Sequence, residues 1–400
     1  MTLFLLATFV YRLANGLLFL AVAWNLVRSA DGGAMPLALS AIGGFLPAVV
    51  AAPFARRLLG RVDTRKLTLW GIAGLCLCAL LFTPFLHMSS ALLIVNFLVL
   101  SLFFLLEGAW DALLAAIVKR LPPIEGDKLN SRQSAVTQGG LMLGGLPIGL
   151  LIRYGGSEAP FLAAAVLYIV TLLLFMLPVL RDVSRNGKRD DSIEKVSQPE
   201  VDIDQGSASP AWATVAALAL VWPCLTLVNM AVPLVANSEG KGTVEHAALI
   251  DASIGLGMAC IGLLYERLIR YPARFQMSVL VAASLFMPIP FVMLLTMPYW
   301  LPGLCITFFV CGIGFGLLRV SLRRQLIATQ PAYRVGQIVA SCNAYGFPVL
   351  ATLALLYARS WNLGPWVPLA AFLSAAVMGI LALSGKRAGT RTRSASPDVG

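Results

Sequence analysis

Two carboxylates stand inside an otherwise apolar segment of the sequence. Glu107 and Asp111 belong to the stretch LLEGAWDALL, and their i, i+4 spacing places both on one face of a helix. Each carboxylate costs about 2.5–3.5 kcal/mol to insert at the centre of a membrane helix. Two carboxylates this close repel each other when both are ionised, so one of them is suited to hold a proton. The pair predicts a proton-coupling site, with Glu107 the favoured carrier and Asp111 either a second candidate or part of a structural ion pair.

Three further charged residues lie within apolar segments. Arg12 lies at a depth that matches Asp111, so a structural ion pair between them is expected, with substrate binding by Arg12 as the alternative. Arg319 lies at a matching depth and either faces Asp111 in a gate or is an ordinary interfacial arginine. Asp251 lies near one end of its segment and is either a solvated vestibule charge or a third candidate for the coupling proton.

Amide and aromatic side chains complete the candidates for a substrate cavity. A buried amide can bind a substrate or a neighbouring helix, and an aromatic ring can stack on a ligand. Asn96 and Trp222 belong to these two groups. The predicted cavity residues include two arginines as well as amides and aromatic residues. They are Arg12, Asn15, Trp24, Trp110, Gln138, Asn229, Arg319, Asn343 and Tyr345.

The composition indicates which elements position these residues. Hydrophobic residues make up 58% of the 400 residues, charged residues make up 12%, and the mean hydropathy is +0.83. A soluble domain carries about 25% charged residues. Crossing the bilayer core takes about 20 apolar residues, and a helix satisfies its backbone groups within the segment. The sequence therefore predicts an all-α polytopic membrane protein.

Twelve apolar segments are long enough to span a membrane. They lie near residues 3–27, 36–55, 67–87, 91–118, 133–153, 159–180, 212–236, 246–265, 276–297, 301–322, 336–358 and 364–384. A charged stretch poor in bulky apolar residues separates the first six from the last six, which is typical of a flexible linker. The predicted domains are an N-terminal six-helix bundle, a charged cytoplasmic linker, a C-terminal six-helix bundle and a cytoplasmic tail, at 1–180, 181–210, 211–385 and 386–400.

The two halves also resemble each other in sequence. An offset of about 208 residues aligns Gly108 with Gly316 and Pro123 with Pro331. Together with the equal helix counts, this favours two pseudo-symmetric halves of twelve transmembrane helices, with substrate bound between them.

The distribution of basic residues predicts the orientation. The net charge is +11, and 25 of the 30 Lys and Arg residues fall in alternate connections or in the C-terminal tail. Such a bias marks the cytoplasmic side of a membrane protein. Both termini are therefore expected in the cytoplasm of a multi-pass protein of the inner (plasma) membrane. Basic charge placed this way does not indicate a nucleic-acid partner.

The stretch PFARRLLGRVDTRKL resembles the signature loop between helices two and three of the major facilitator superfamily, roughly G-x-L-a-D-r-x-g-R-[RK]. It departs from that pattern at Arg56, in place of the glycine, and at Gly60, in place of an acid that helps lock the inner side. The resemblance implies the twelve-helix facilitator fold and a cytoplasmic gating loop. The resemblance assigns four of its charged residues to gating, namely Arg57, Arg61, Asp63 and Arg65.

Two further stretches resemble one branch of the superfamily, the bacterial drug and siderophore exporters of the enterobactin-exporter and macrolide-efflux type. The first carries Pro122, Glu125 and Asn130 in LPPIEGDKLN, followed by a glycine-rich helix five. The second carries Pro331 and Arg334 in QPAYRVGQ. This resemblance implies export of a drug or siderophore.

The glycines of helix five allow two interpretations. Their spacing lets helices approach closely, and in exporters of the superfamily a glycine and proline motif in this helix is associated with the export direction. Close packing and a direction-setting hinge are both open. The motif comprises Gly140, Gly144, Gly145 and Gly149.

These observations predict a proton-coupled secondary exporter of a small organic molecule that works by alternating access. A lipid or nutrient transporter on the same fold is the alternative. A membrane enzyme is disfavoured, because no paired His, DxD-like cluster or Ser/His/Asp set appears in the connections. No ATP-binding P-loop occurs either, so an ion gradient is the expected energy source. Seven cysteines without a CxxC spacing and two separated histidines favour no metal. We therefore expect no cofactor beyond the proton gradient, a small-molecule substrate and the lipid bilayer as partners, and a monomer.

Overall fold

A computed structural model describes residues 2–28, 33–61, 64–86, 88–119, 121–177, 212–237, 243–296, 300–330 and 332–384. These residues form helices joined by short connections. The predicted linker at 181–210 and tail at 386–400 lie outside the described residues, so the domain boundaries stay predictions.

The N-terminal half contains six membrane helices, of which the fifth is interrupted. They are α1 (Thr2–Arg28), α2 (Ala34–Arg61), α3 (Thr64–Phe85), α4 (Ser89–Lys119), α5a (Pro123–Leu143) with α5b (Ile148–Gly155), and α6 (Ala159–Met176).

The C-terminal half repeats this arrangement, with the interruption in its third helix. Its helices are α7 (Trp212–Asn237), α8 (Val244–Leu268), α9a (Ala273–Phe286) with α9b (Ile289–Thr296), α10 (Leu301–Thr329), α11 (Ala332–Ser360) and α12 (Trp366–Ser384). Ten of the described helical spans are long and apolar enough to cross a membrane, and α2 adds the shorter apolar stretch Ala34–Pro47. The predicted fold class is confirmed.

Proline accounts for both interruptions. Pro147 follows α5a by four residues, has no N–H group to donate, and its ring would clash with the carbonyl of Leu143 in a continuous helix. The backbone instead turns, with the N–H of Leu146 donating to the Leu143 carbonyl at 3.1 Å. Pro288 lies in the same way between α9a and α9b.

The two halves meet along two helix pairs. α2 packs against α11, and α5a packs against α8. Within the N-terminal half, α1 packs against α5a and α6. We call the side where α1 begins and α12 ends the terminal face, and the other side the opposite face. The space between the halves is therefore bounded by α2 with α11 on one flank and α5 with α8 on the other.

Glycine brings α1 and α5 into close contact. A Cβ atom on Gly144 would collide with the carbonyl oxygen of Leu13 and lie 3.1 Å from the Cα of Gly16. On Gly140 it would lie 2.9 Å from the Cβ of Arg12. Because the obstacles are backbone and Cβ atoms, no rotamer change can relieve them. Close packing is thus one role of the motif in helix five.

We expect Gly144→Ala to destabilise the protein, because α1 and α5 would have to separate. Overpacking of this kind costs about 1–3 kcal/mol. Gly43→Ala is the matched control, since a Cβ at Gly43 meets nothing within 4 Å. Thermal unfolding of the purified variants in detergent measures the difference. Equal melting temperatures for the two variants would contradict the close approach.

Candidate functional site

Two cavities lie one behind the other between the halves. The large cavity is lined by α1, α2, α4, α5a, α7 and α8 at levels nearer the opposite face. It contains about 980 Å³ of empty space, including its open mouth. The large cavity is therefore an open space bounded by helices of both halves.

Aromatic rings form much of the wall of the large cavity. Phe45 and Phe104 are 4.5 Å apart between ring centroids. Trp222 of α7 lies edge-to-face against Phe103 and Phe104, at 5.8 and 5.6 Å. Phe19 of α1 contacts Phe103 at 5.2 Å. These rings come from both halves, so the wall spans the interface between them.

Polar groups are few in the large cavity. The side-chain amide of Asn96 donates a 2.8 Å hydrogen bond to the hydroxyl of Ser40, and Thr226 and Asn229 also line the cavity. Asp251 is the only charged residue among the described lining residues. It is 8% exposed, and no hydrogen bond or ion pair joins it to the rest of the described chain. The cavity thus contains one isolated carboxylate.

The small cavity lies nearer the terminal face. Its charged lining residues are Asp111, Arg319 and Arg323, and Trp222 lines both cavities. The guanidinium carbon of Arg319 lies 5.7 Å from the Trp222 ring centroid. The Nη1 atom of Arg319 is buried and has no hydrogen-bond partner in the described structure. The indole of Trp222 therefore separates an aromatic cavity from a basic one.

A buried ion pair lies within the N-terminal half. Arg12 donates to a carboxylate oxygen of Glu107 at 2.5 Å, and their side chains are 3% and 9% exposed. The guanidinium carbon of Arg12 also lies 5.3 Å from the ring centroids of Tyr11 and Phe103. The structure does not form the expected pair between Arg12 and Asp111. Arg12 instead binds the carboxylate one helical turn away.

Asp111 pairs across the interface between the halves. Its carboxylate accepts a hydrogen bond from Arg323 of α10. The expected gate partner, Arg319, lies one turn from Arg323 and lines the same cavity, and within the described residues it makes no hydrogen bond to Asp111. Sequence reasoning missed Arg323, although its position one turn after Arg319 was a usable signal.

Two further ion pairs join the halves near the terminal face. Arg324 of α10 donates to Asp127 of α5a at 3.1 Å, and Lys128 of α5a lies 3.5 Å from Glu266 of α8. We call these two pairs, with the pair of Asp111 and Arg323, the ion-pair layer. It holds the halves together on the terminal side of both cavities.

Other predicted residues lie within the N-terminal bundle. Asn15 accepts a 2.7 Å hydrogen bond from the Tyr168 hydroxyl. Trp110 stacks on Tyr11 at 4.7 Å, and its indole donates to Thr8. Trp24 and Gln138 are also buried. None of the four predicted residues lines either cavity.

The remaining predicted site residues lie at the surface or outside the residues that the structure describes. Tyr345 is 65% exposed on α11. The side chain of Asn343 and those of the predicted gating loop, Arg57, Arg61, Asp63 and Arg65, lie outside the described residues. Of the predicted cavity residues, Asn229 lines the large cavity and Arg319 the small one. Gly145 and Gly149 contact α1 and α8, through Leu20 and Glu245.

Comparison with known proteins identifies the family. The chain matches the family model of the Major Facilitator Superfamily over residues 4–347. The chain belongs to this superfamily. Its structure is similar to the crystal structure of the human organic anion transporter MFSD10 (TETRAN), with a TM-score of 0.63 and 15% sequence identity over 96% of this chain and 97% of that one. At this identity the likeness shows the fold alone. None of the curated protein sequences matches the chain.

Membership of the Major Facilitator Superfamily explains the arrangement of the site. The predicted superfamily is confirmed, and it makes this chain an integral membrane protein and a secondary transporter. In such carriers the substrate binds between the halves. The large and small cavities lie there, with Trp222 between them.

The pair of Asp127 and Arg324 provides a test of the ion-pair layer. We expect Asp127→Ala to raise the rate at which Cys342, a lining residue of the small cavity, reacts with a water-soluble thiol reagent. A partly exposed ion pair contributes about 0.2–1 kcal/mol, so the increase should reach about fivefold at most.

The charge swap Asp127→Arg with Arg324→Asp should return the rate to that of the parent protein, because it restores the attraction. Cys342→Ser measures the background from other cysteines. A swapped protein that labels as fast as Asp127→Ala would show that the pair does not close the terminal side.

Proposed function

We propose that the protein is a proton-coupled secondary exporter of a small organic molecule, such as a drug or siderophore, that works by alternating access. The observation that carries this proposal is the isolated carboxylate of Asp251 in a cavity between the halves. The ion-pair layer supports it, because this layer separates the cavity from one side of the membrane.

Alternating access requires contacts that break and reform at each cycle. The layer suits this requirement. Arg324 and Asp127 are 38% and 30% exposed in their side chains, and an exposed ion pair contributes about 1 kcal/mol or less. Water can replace an exposed contact of this kind at modest cost, whereas the more buried pair of Asp111 and Arg323, with side chains 16% and 15% exposed, costs more to open. The halves can then separate on the terminal side while α2 with α11 and α5 with α8 remain the flanks.

Electrostatics supports Asp251 over Glu107 as the carrier of the proton. Glu107 and Asp111 face three guanidinium groups, those of Arg12, Arg319 and Arg323. A proton on Glu107 would leave these three cations with Asp111 alone, and an uncompensated buried charge is costly. A proton on Asp251 instead removes an isolated charge from an apolar cavity. We therefore place the coupling proton on Asp251 and assign Glu107 to the internal ion pair.

The interruption of α5 supports a link between this carboxylate and helix movement. A Cβ on Gly145 would lie 3.7 Å from the Oδ2 atom of Asp251. Gly145 belongs to the turns that precede Pro147. Neutralising Asp251 therefore changes the charge beside the interruption between α5a and α5b. This favours a hinge role for the glycine motif in addition to close packing, and it agrees with the export direction implied by the motif.

One observation favours a second candidate, the transport of an organic anion. The unpartnered Nη1 atom of Arg319 is a hydrogen-bond donor in the small cavity, and the structurally similar MFSD10 is an organic anion transporter. The large cavity, however, has no Lys or Arg among its described lining residues. It therefore offers an organic anion no counter-charge there.

We place the terminal face in the cytoplasm of the inner (plasma) membrane, because basic residues concentrate in the connections on that side. Val62→Cys should therefore react with a membrane-impermeant thiol reagent in inverted vesicles and not in intact cells. Position 62 lies in the sequence between α2 and α3, in the connection that the distribution of basic residues assigns to the terminal side. Labelling from outside intact cells would contradict this orientation. The same reagent applied to the parent protein gives the background of the native cysteines.

Loss of the transporter should cause cells to retain at least one small organic compound. Metabolite profiling of a deletion strain, with and without iron limitation, measures this retention. Re-expression of the parent protein is the control. Unchanged intracellular pools in both conditions would contradict export.

The retained compound then permits a test of coupling in proteoliposomes. Asp251→Asn should lose uphill transport driven by a pH gradient and keep substrate exchange, because an amide cannot release a proton. Glu107→Gln should mainly lower the yield of folded protein, because Arg12 loses its partner and breaking such a pair costs about 3–5 kcal/mol. If Asp251→Asn pumps as well as the parent protein, Asp251 does not carry the coupling proton.

A further inference from the structure

The charge of Asp251 lacks a counter-charge within the described chain. Its residue is 92% buried, it lines the large cavity, and no described side chain donates to it. An ionised carboxylate in such a position is costly. The cost is relieved by a proton or by a positively charged ligand. Proton binding alone would explain the carboxylate but not the composition of the cavity around it.

The aromatic wall provides the second, independent observation. Phe45, Phe103, Phe104 and Trp222 lie around one region of the cavity, and Trp222 meets Phe103 and Phe104 at interplanar angles of 87° and 78°. Edge-to-face rings expose π faces in several directions. Such faces attract cations and stack on flat apolar groups.

The other polar groups of the cavity are neutral. The amide of Asn96 already donates to Ser40, and Asn229 lines the cavity as a neutral amide. The two buried arginines Arg12 and Arg319 belong elsewhere, because Arg12 is bound to Glu107 and Arg319 lines the cavity behind Trp222. An anion in the large cavity would therefore find no counter-charge among the described lining residues.

We propose that the large cavity binds an organic cation, with the positive centre at the carboxylate of Asp251 and an apolar or aromatic body against the phenylalanine and tryptophan wall. This inference rests on the proposed transport function, in which the same cavity receives the exported molecule. One carboxylate neutralises one positive charge, so a proton and the cation exclude each other. This exclusion exchanges one substrate for one proton at the site.

Tetraphenylphosphonium is a suitable probe, because it is a lipophilic cation with four aromatic rings. Tetraphenylborate has nearly the same shape and the opposite charge, so it controls for hydrophobic binding. Binding to the purified full chain in detergent is measured by equilibrium dialysis of the labelled ions. We expect the parent protein to bind the phosphonium at least tenfold more tightly than Asp251→Asn does. Asp251→Glu should retain binding, and Glu158→Gln, which removes an exposed carboxylate outside the cavity, should bind as the parent protein does.

A second measurement on the parent protein avoids any folding defect of the variant. A hydrophobic carbodiimide modifies buried carboxyl groups, and peptide mass spectrometry reports the modification at Asp251. Tetraphenylphosphonium should slow this modification, and tetraphenylborate should not. Equal phosphonium binding by the parent protein and Asp251→Asn, with no protection of Asp251, would overturn the inference. Tighter borate binding that Arg319→Gln abolishes would also overturn it, in favour of an organic anion.

These results separate the binding site from the transport function. Asp251-dependent binding of the phosphonium without its uphill movement in proteoliposomes would refute the proposed coupled export and leave the cation site standing. Coupled transport of the compound retained by the deletion strain, with phosphonium binding that ignores Asp251, would refute the cation site alone.

Discussion

The bundle can bury ionised side chains only where opposite charges face them, because the surrounding hydrocarbon provides no polar partners. This constraint organises the centre of the protein. Arg12 and Glu107 satisfy each other within one half, while Asp111 and Arg323 satisfy each other across the interface. The first pair adds to the cohesion of a rigid half, and the second makes the association of the halves dependent on charge. Asp251 stands outside this scheme, which is why it draws attention as a site for a mobile charge.

The ion-pair layer also accounts for a departure in the signature loop. Gly60 replaces the acid that, in the family pattern, helps hold the inner side of the two halves together. In this protein α10 contributes Arg323 and Arg324, and the N-terminal half contributes Asp111 and Asp127. Closure on the terminal side can thus rest on α4, α5 and α10. These pairs hold the two halves by attraction between opposite charges across their interface.

Much of the fold follows from the sequence, because hydrophobic segment length determines how many helices cross a bilayer. Prolines lie at the breaks of helices five and nine, but Pro223 and Pro233 lie inside the uninterrupted α7, so a proline alone does not predict a break. The pairing of charges could not be predicted in the same way. Counting residues from the helix ends places Arg12 at the same depth as Asp111. In the structure Arg12 binds Glu107, one helical turn away, and Arg323 of α10 pairs with Asp111. The phenylalanines of the large cavity escaped notice because, inside apolar segments, a ring that lines a cavity looks the same as one that packs in a core.

Trp222 forms part of both cavities, and this has a consequence for which molecules can cross the protein. A substrate exported from the terminal side would move from the basic cavity to the aromatic one, past the indole that lies between Phe104 and Arg319. The obstacle is a single flat ring, so it discriminates by the width of the passing molecule rather than by its chemical groups. Aromatic molecules can take over the stacking that the indole gives up. Selection at Trp222 would therefore depend on the cross-section of the passing molecule more than on its chemical groups.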